Sequence, residues 1–134
     1  IGSNTIFKGA VKGHEKGHLV VDTPLGLLSG DANGDVADGA DASVVIPAEA
    51  IELHALNDAN RDMIAATAGG NIIDATVSRF QVVGHVAQVE VDLPDGRTLS
   101  LEAHTDKYSP GSFPVAAPIA LTWKPEAATV IPAH

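Results

Sequence analysis

The sequence predicts an all-β fold, a small barrel or sandwich built from two related halves. Three observations predict it. Apolar and polar residues alternate with period two through much of the chain, the pattern of half-buried strands. Turn residues interrupt that alternation at short intervals. Finally, the chain repeats itself. Val21-Asp22-Thr23-Pro24-Leu25-Gly26 returns as Val91-Asp92-Leu93-Pro94-Asp95-Gly96, at an offset of 70 (91 minus 21). Ile46-Pro47-Ala48-Glu49-Ala50 returns as Trp123-Lys124-Pro125-Glu126-Ala127, at an offset of 77 (126 minus 49). Each half is too short for a large core of its own, so the repeat indicates one β-module built twice.

In the first half, strands are expected at 6–12, 18–22, 27–29, 42–46 and 50–53, with Thr23-Pro24-Leu25-Gly26 as a tight turn. Residues 31–41 form a long loop. Residues 57–71 break the alternation. They suit a connector with a short helix at 59–68, capped by Asn57 or Asp58 and stopped by Ala68-Gly69-Gly70-Asn71. Ile73, Ala75 and Val77 open the second half. Ala87, Val89, Val91 and Leu93 then alternate with Gln88, Glu90 and Asp92, and Leu99, Leu101 and Ala103 with Thr98, Ser100 and Glu102. Pro94, Asp95 and Gly96 lie between these strands as a hairpin turn, Gly96 supplying positive φ. Residues 105–114 read as a loop, followed by strands through Ile119, Leu121 and Trp123 and at 129–131. The chain is thus divided into a first half 1–56, a connector 57–71 and a second half 72–134.

Composition narrows the function. Apolar residues make up 45% of the 134, enough for a packed core and against disorder. No apolar run approaches the ~20 residues of a membrane-spanning helix, so no direct membrane insertion is expected. There is no cysteine, which rules out disulfides and thiolate chemistry and suits a reducing compartment. With 8 Lys+Arg against 17 Asp+Glu the net charge is −9, and aromatics are only 4%. Phosphate neutralisation and base stacking are both poorly served, which argues against nucleic acid. The chain starts at Ile1 rather than Met, which suggests a segment of a longer protein.

Motifs for chemistry are scarce. Asp31-Ala32-Asn33-Gly34-Asp35 resembles the start of a calcium loop, but Val36 and Ala42 stand where the turn glycine and the bidentate glutamate are needed. It reads as a solvated acidic loop. His14 and His18 have the i, i+4 spacing of a helical metal site, yet they sit in a strand–turn–strand pattern. Glu49 and Glu126 occupy equivalent repeat positions, which points to a shared structural task such as holding a turn. No nucleophile elbow and no phosphate-cradling glycine loop is present, so no catalytic residue, metal site or cofactor is assigned.

Read together, these segments resemble the C-terminal domain of ABC importer ATPases of the maltose, polyamine and ferric-ion type, the TOBE domain. Ile1-Gly2-Ser3-Asn4-Thr5-Ile6-Phe7-Lys8-Gly9-Ala10-Val11 is similar to that domain's opening strand. Val82-Val83-Gly84 is similar to its Phe-Leu-Gly element, and Leu93-Pro94-Asp95-Gly96 and Ile119-Ala120-Leu121-Thr122-Trp123 to its last hairpin and strand. Its Arg-Pro-Glu signature should fall at Pro47-Ala48-Glu49, where only Glu49 matches; Lys124-Pro125-Glu126 is the closer copy.

The resemblance implies OB-like barrels. It also implies a non-catalytic regulatory and dimerisation role in the ATPase subunit of a bacterial importer. The implied partners are a nucleotide-binding domain of the same chain, a second ATPase subunit and, indirectly, the membrane subunits. ATP and magnesium would belong to the parent chain, and the assembly would be cytoplasmic, on the inner face of the membrane. Small molybdate-binding proteins share the architecture. Their opening motif resembles Ser-Ala-Arg-Asn followed by Lys-Gly-x-Val. Here Ser3-Asn4 and Lys8-Gly9-Ala10-Val11 match in part and the arginine is missing. The alternative expectation is therefore an oxyanion-binding module using Ser3, Asn4 and Lys8.

Overall fold

A computed structural model describes residues 4–57, 60–104 and 113–132. Strands β1 (Asn4–Glu15), β2 (His18–Thr23), β3 (Gly26–Ala32), β4 (Asp41–Pro47) and β5 (Glu52–Ala55) precede helix α1 (Arg61–Thr67). Strands β6 (Ile72–Val83), β7 (Val86–Asp92), β8 (Thr98–His104), β9 (Pro118–Thr122) and β10 (Thr129–Pro132) follow it. Short 3-10 turns at Ala48–Ala50 and Pro125–Ala127 come before β5 and β10. The all-β, OB-like expectation holds. The strands form a closed barrel, β1-β2-β3-β10-β4, and a five-stranded sheet, β5-β9-β6-β7-β8.

The repeat extends to strand register. Val11 pairs with Val21, and Val77 pairs with Val91, the two valines that open the repeated segments. Each pairing is followed by a β-bulge, between Val11 and Gly13 and between Val77 and Arg79. A bulge adds one residue and sharpens the bend, which helps so short a sheet to curl. Gly9, just before the first bulge, lies hard against β2. A Cβ there would stand 2.1 Å from the Asp22 carbonyl oxygen, so only glycine permits the approach.

The sheets interleave the two halves. β10 pairs antiparallel with β4, Val130 opposite Val44, and in parallel with β3, Thr129 opposite Asp31. β5, its counterpart in the repeat, pairs with β9, Leu53 opposite Leu121. Each half thus gives its fifth strand to the sheet of the other. The buried residues form one apolar cluster drawn from both sheets, including Phe7, Val44 and Val130 from one and Val89, Ile119 and Leu121 from the other, with Trp123 just after β9. The Trp123 ring stacks on Phe7 with centroids 5.8 Å apart and planes 4° apart.

Three local expectations change. Ala50 belongs to a 3-10 turn closed by Ile51 N–H donating to the Ala48 carbonyl, so the expected strand 50–53 becomes Glu52–Ala55. The helix begins at Arg61 with Asn60, not Asn57, at its cap position. The reason is local: Asn60 accepts from Asn57 N–H and donates to the Ala55 carbonyl, both at 3.0 Å, and so orders the approach to the helix. Asp58 lies outside the described residues. Asp31 and Asp41, expected in a loop, are strand residues of β3 and β4. Most of the expected loop 105–114 lies outside the described residues.

Candidate functional site

β1 alternates as its sequence requires: Thr5 and Phe7 are buried, while Asn4, Ile6 and Lys8 are exposed on the opposite face. At roughly 3.3 Å per residue, Asn4 and Lys8 have Cα atoms about 13 Å apart along that face. Ser3 lies outside the described residues, Asn4 stands opposite Pro47, and Lys8 lines a concavity.

That concavity is a cleft of about 340 Å³ between the two copies of the repeated turn. It is lined by Ile6, Phe7 and Lys8 of β1, by Thr23, Pro24 and Leu25 of the first turn, and by Asp95 and Arg97 of the second. The first turn is held by Thr23, whose hydroxyl donates to the Gly26 carbonyl at 2.7 Å and accepts from Leu25 N–H at 3.2 Å. The second is closed by Gly96 N–H to the Leu93 carbonyl (3.0 Å) and by Leu93 N–H to the Arg97 carbonyl (2.8 Å). Gly96 takes φ 92°, as expected for the turn glycine.

Arg97 organises this lining. Its Nε donates to Asp95 Oδ2 at 3.0 Å, and its Nη1 reaches across to the Ile6 carbonyl at 2.8 Å. Its guanidinium lies 4.8 Å from the centre of the buried Phe7 ring. A side chain of the second half thus docks on the first strand of the first half, above the Phe7–Trp123 stack. Asp95 accepts the Arg97 backbone N–H at 3.0 Å. That bond holds its carboxyl below the usual value; burial opposes it, and the side-chain hydrogen bond and charge of Arg97 add to it. Lys8 has no ion-pair partner among the described residues.

A second cleft, of about 560 Å³, lies between β2, β3, the end of the connector and the turn Pro125–Ala127. Here His18 Nδ1 meets Asp31 Oδ1 at 2.6 Å, and its Nε2 stands 3.9 Å from Glu126 Oε2. Lys16 and Lys124 are balanced by Glu15 and Glu126. The fully buried Asn71 accepts Ser29 N–H at 2.7 Å and donates to the Ser29 carbonyl at 3.0 Å, tying the end of the connector to β3.

Among the described residues, no three His, Asp or Glu side chains converge as a metal site. His14 and His18 lie on adjacent strands, His14 opposite Leu19 and Glu15 opposite His18. Glu49 and Glu126 do share one position, the first turn of each 3-10 segment. Those turns are closed by backbone bonds, Ile51 N–H to Ala48 and Ala128 N–H to Pro125. Gly84, with φ 65°, turns the hairpin between β6 and β7.

Sequence reading missed Arg97 because it treated the second turn as ending at Gly96. A signal was present: Arg97 is the one cation in the segment 91–103, and it directly follows the repeated turn.

Over residues 44–131 the sequence matches the family described as the TOBE domain. A solved structure shares the fold: the cytoplasmic molybdate-binding protein ModG, in a crystal form with molybdate bound. The match has a TM-score of 0.75 over 96% of this chain and 96% of that one, at 16% sequence identity. No curated protein matches. Among the described residues, no helix is long and apolar enough to cross a membrane.

Proposed function

The chain belongs to the TOBE domain family, and from that premise we propose that it is a non-catalytic module that binds a small tetrahedral oxyanion of the molybdate type. The observation that carries this reading is the extent of the fold match. Some 96% of this chain corresponds to 96% of the chain of a protein described as binding molybdate. Lys8 supports it locally as a cation lining a cleft without an ion-pair partner among the described residues. An oxyanion leaving water must be repaid in charge-assisted hydrogen bonds, so a chain of net charge −9 has to concentrate its few cations at the site. Isothermal calorimetry with molybdate, tungstate, sulfate and phosphate tests the proposal. Saturable binding of at least one supports it, and absence of binding for all four rejects it. By the same reading, the module works in the cytoplasm.

A second reading is favoured by the family itself and by the position of Lys124-Pro125-Glu126. These residues form an exposed turn, the Glu126 side chain 63% accessible, where a partner could reach them. In this reading the chain is the regulatory and dimerisation domain of an importer ATPase, peripheral to the membrane. Any effector would act through unequal affinity for the open and closed ATPase dimer. Deleting the segment from such an ATPase should then disturb subunit association or transport control. Unchanged behaviour in both would dismiss it.

A further inference from the structure

We infer that the anion site lies between the two copies of the repeated turn, with Lys8 of the first half and Arg97 of the second as its cations. The inference rests on the oxyanion reading above and gives it a place. Three features of the cleft support it.

The first is donor supply. A guanidinium carries five N–H groups in a planar fork. Arg97 commits one at Nε to Asp95 and one at Nη1 to the Ile6 carbonyl, which fixes its plane and leaves three. Lys8 adds an ammonium with no ion-pair partner among the described residues. The second is the support of Arg97. Phe7 is 2% exposed and carries the guanidinium on its face, so Arg97 is held against an apolar ring.

The third is net charge. The lining holds Lys8 and Arg97 against Asp95 and so keeps one positive charge. In the larger cleft, Lys16 and Lys124 are cancelled by Glu15 and Glu126. Asp95 acts here as a built-in competitor. It orients Arg97, and it also repels an incoming anion and holds one of the donors. Since the two cations come from different halves, a bound anion would link the halves directly.

Molybdate titrations of the wild type, Lys8→Gln, Arg97→Gln, Asp95→Asn and Lys124→Gln test this, each variant checked for an intact fold by its thermal melt. We expect Lys8→Gln and Arg97→Gln to weaken binding about tenfold or more, as loss of a charge-assisted bond does. Asp95→Asn should tighten it severalfold, and Lys124→Gln should leave it unchanged. Lys8 is exposed, so its variant keeps the test valid even if Arg97→Gln fails to fold. If the wild type binds molybdate and Lys8→Gln binds equally well, the site is elsewhere and only this inference fails. Loss of binding in Lys124→Gln alone would assign the site to the larger cleft. If the wild type binds no oxyanion, the functional reading itself fails.

Discussion

Asp95 and Arg97 show how one residue pair carries both stability and site chemistry. The Asp95 carboxyl is held below its usual value by the Arg97 backbone N–H, its hydrogen bond and its charge. A carboxylate with a lowered folded pKa contributes stability that is present above its unfolded value, about 3.9, and is lost as pH falls through the folded value. Thermal melts taken from neutral pH into the acid range should therefore show the wild type losing a contribution below about pH 4 that Asp95→Asn lacks. Parallel pH profiles for the two would contradict this. The sequence made the turn legible, because Pro94, Asp95 and Gly96 have known turn chemistry. Arg97 was not legible as a site residue. Its contact with the Ile6 carbonyl spans 91 positions, and no local pattern encodes so distant a partner.

Among the elements, the expected strands appear close to their expected positions, because period-two burial depends only on neighbouring residues. Ala87, Val89, Val91 and Leu93 are all buried, as their alternation requires. The exchange of β5 and β10 was not legible. An alternating segment of four residues announces a strand, but not which sheet takes it. Asn71 shows the same limit. It reads as a helix stop in sequence, yet it is fully buried and satisfies both backbone groups of Ser29, 42 residues away. Asn71→Ala would leave that N–H and carbonyl unpaired at a buried junction. It should destabilise the chain by at least about 2 kcal/mol in chemical denaturation. A change within about 0.5 kcal/mol would show that water or relaxation replaces those bonds.

Across the whole molecule, the repeat gives two modules that complete each other. Each sheet contains a strand from the far side of the connector, and the apolar cluster draws on both. Residues 1–71 alone would lack β10 and leave β3 and β4 without their shared neighbour. That segment should show no cooperative thermal transition by circular dichroism, and a sharp one would mean that the exchange is dispensable. The same interleaving makes the cleft a property of the intact chain, since neither half alone supplies both Lys8 and Arg97. Equilibrium dialysis of the intact chain against molybdate tests the central claim most directly. The account predicts molybdate retained with the protein above the free concentration and saturating as that concentration rises. Equal molybdate on both sides of the membrane at every concentration would contradict it.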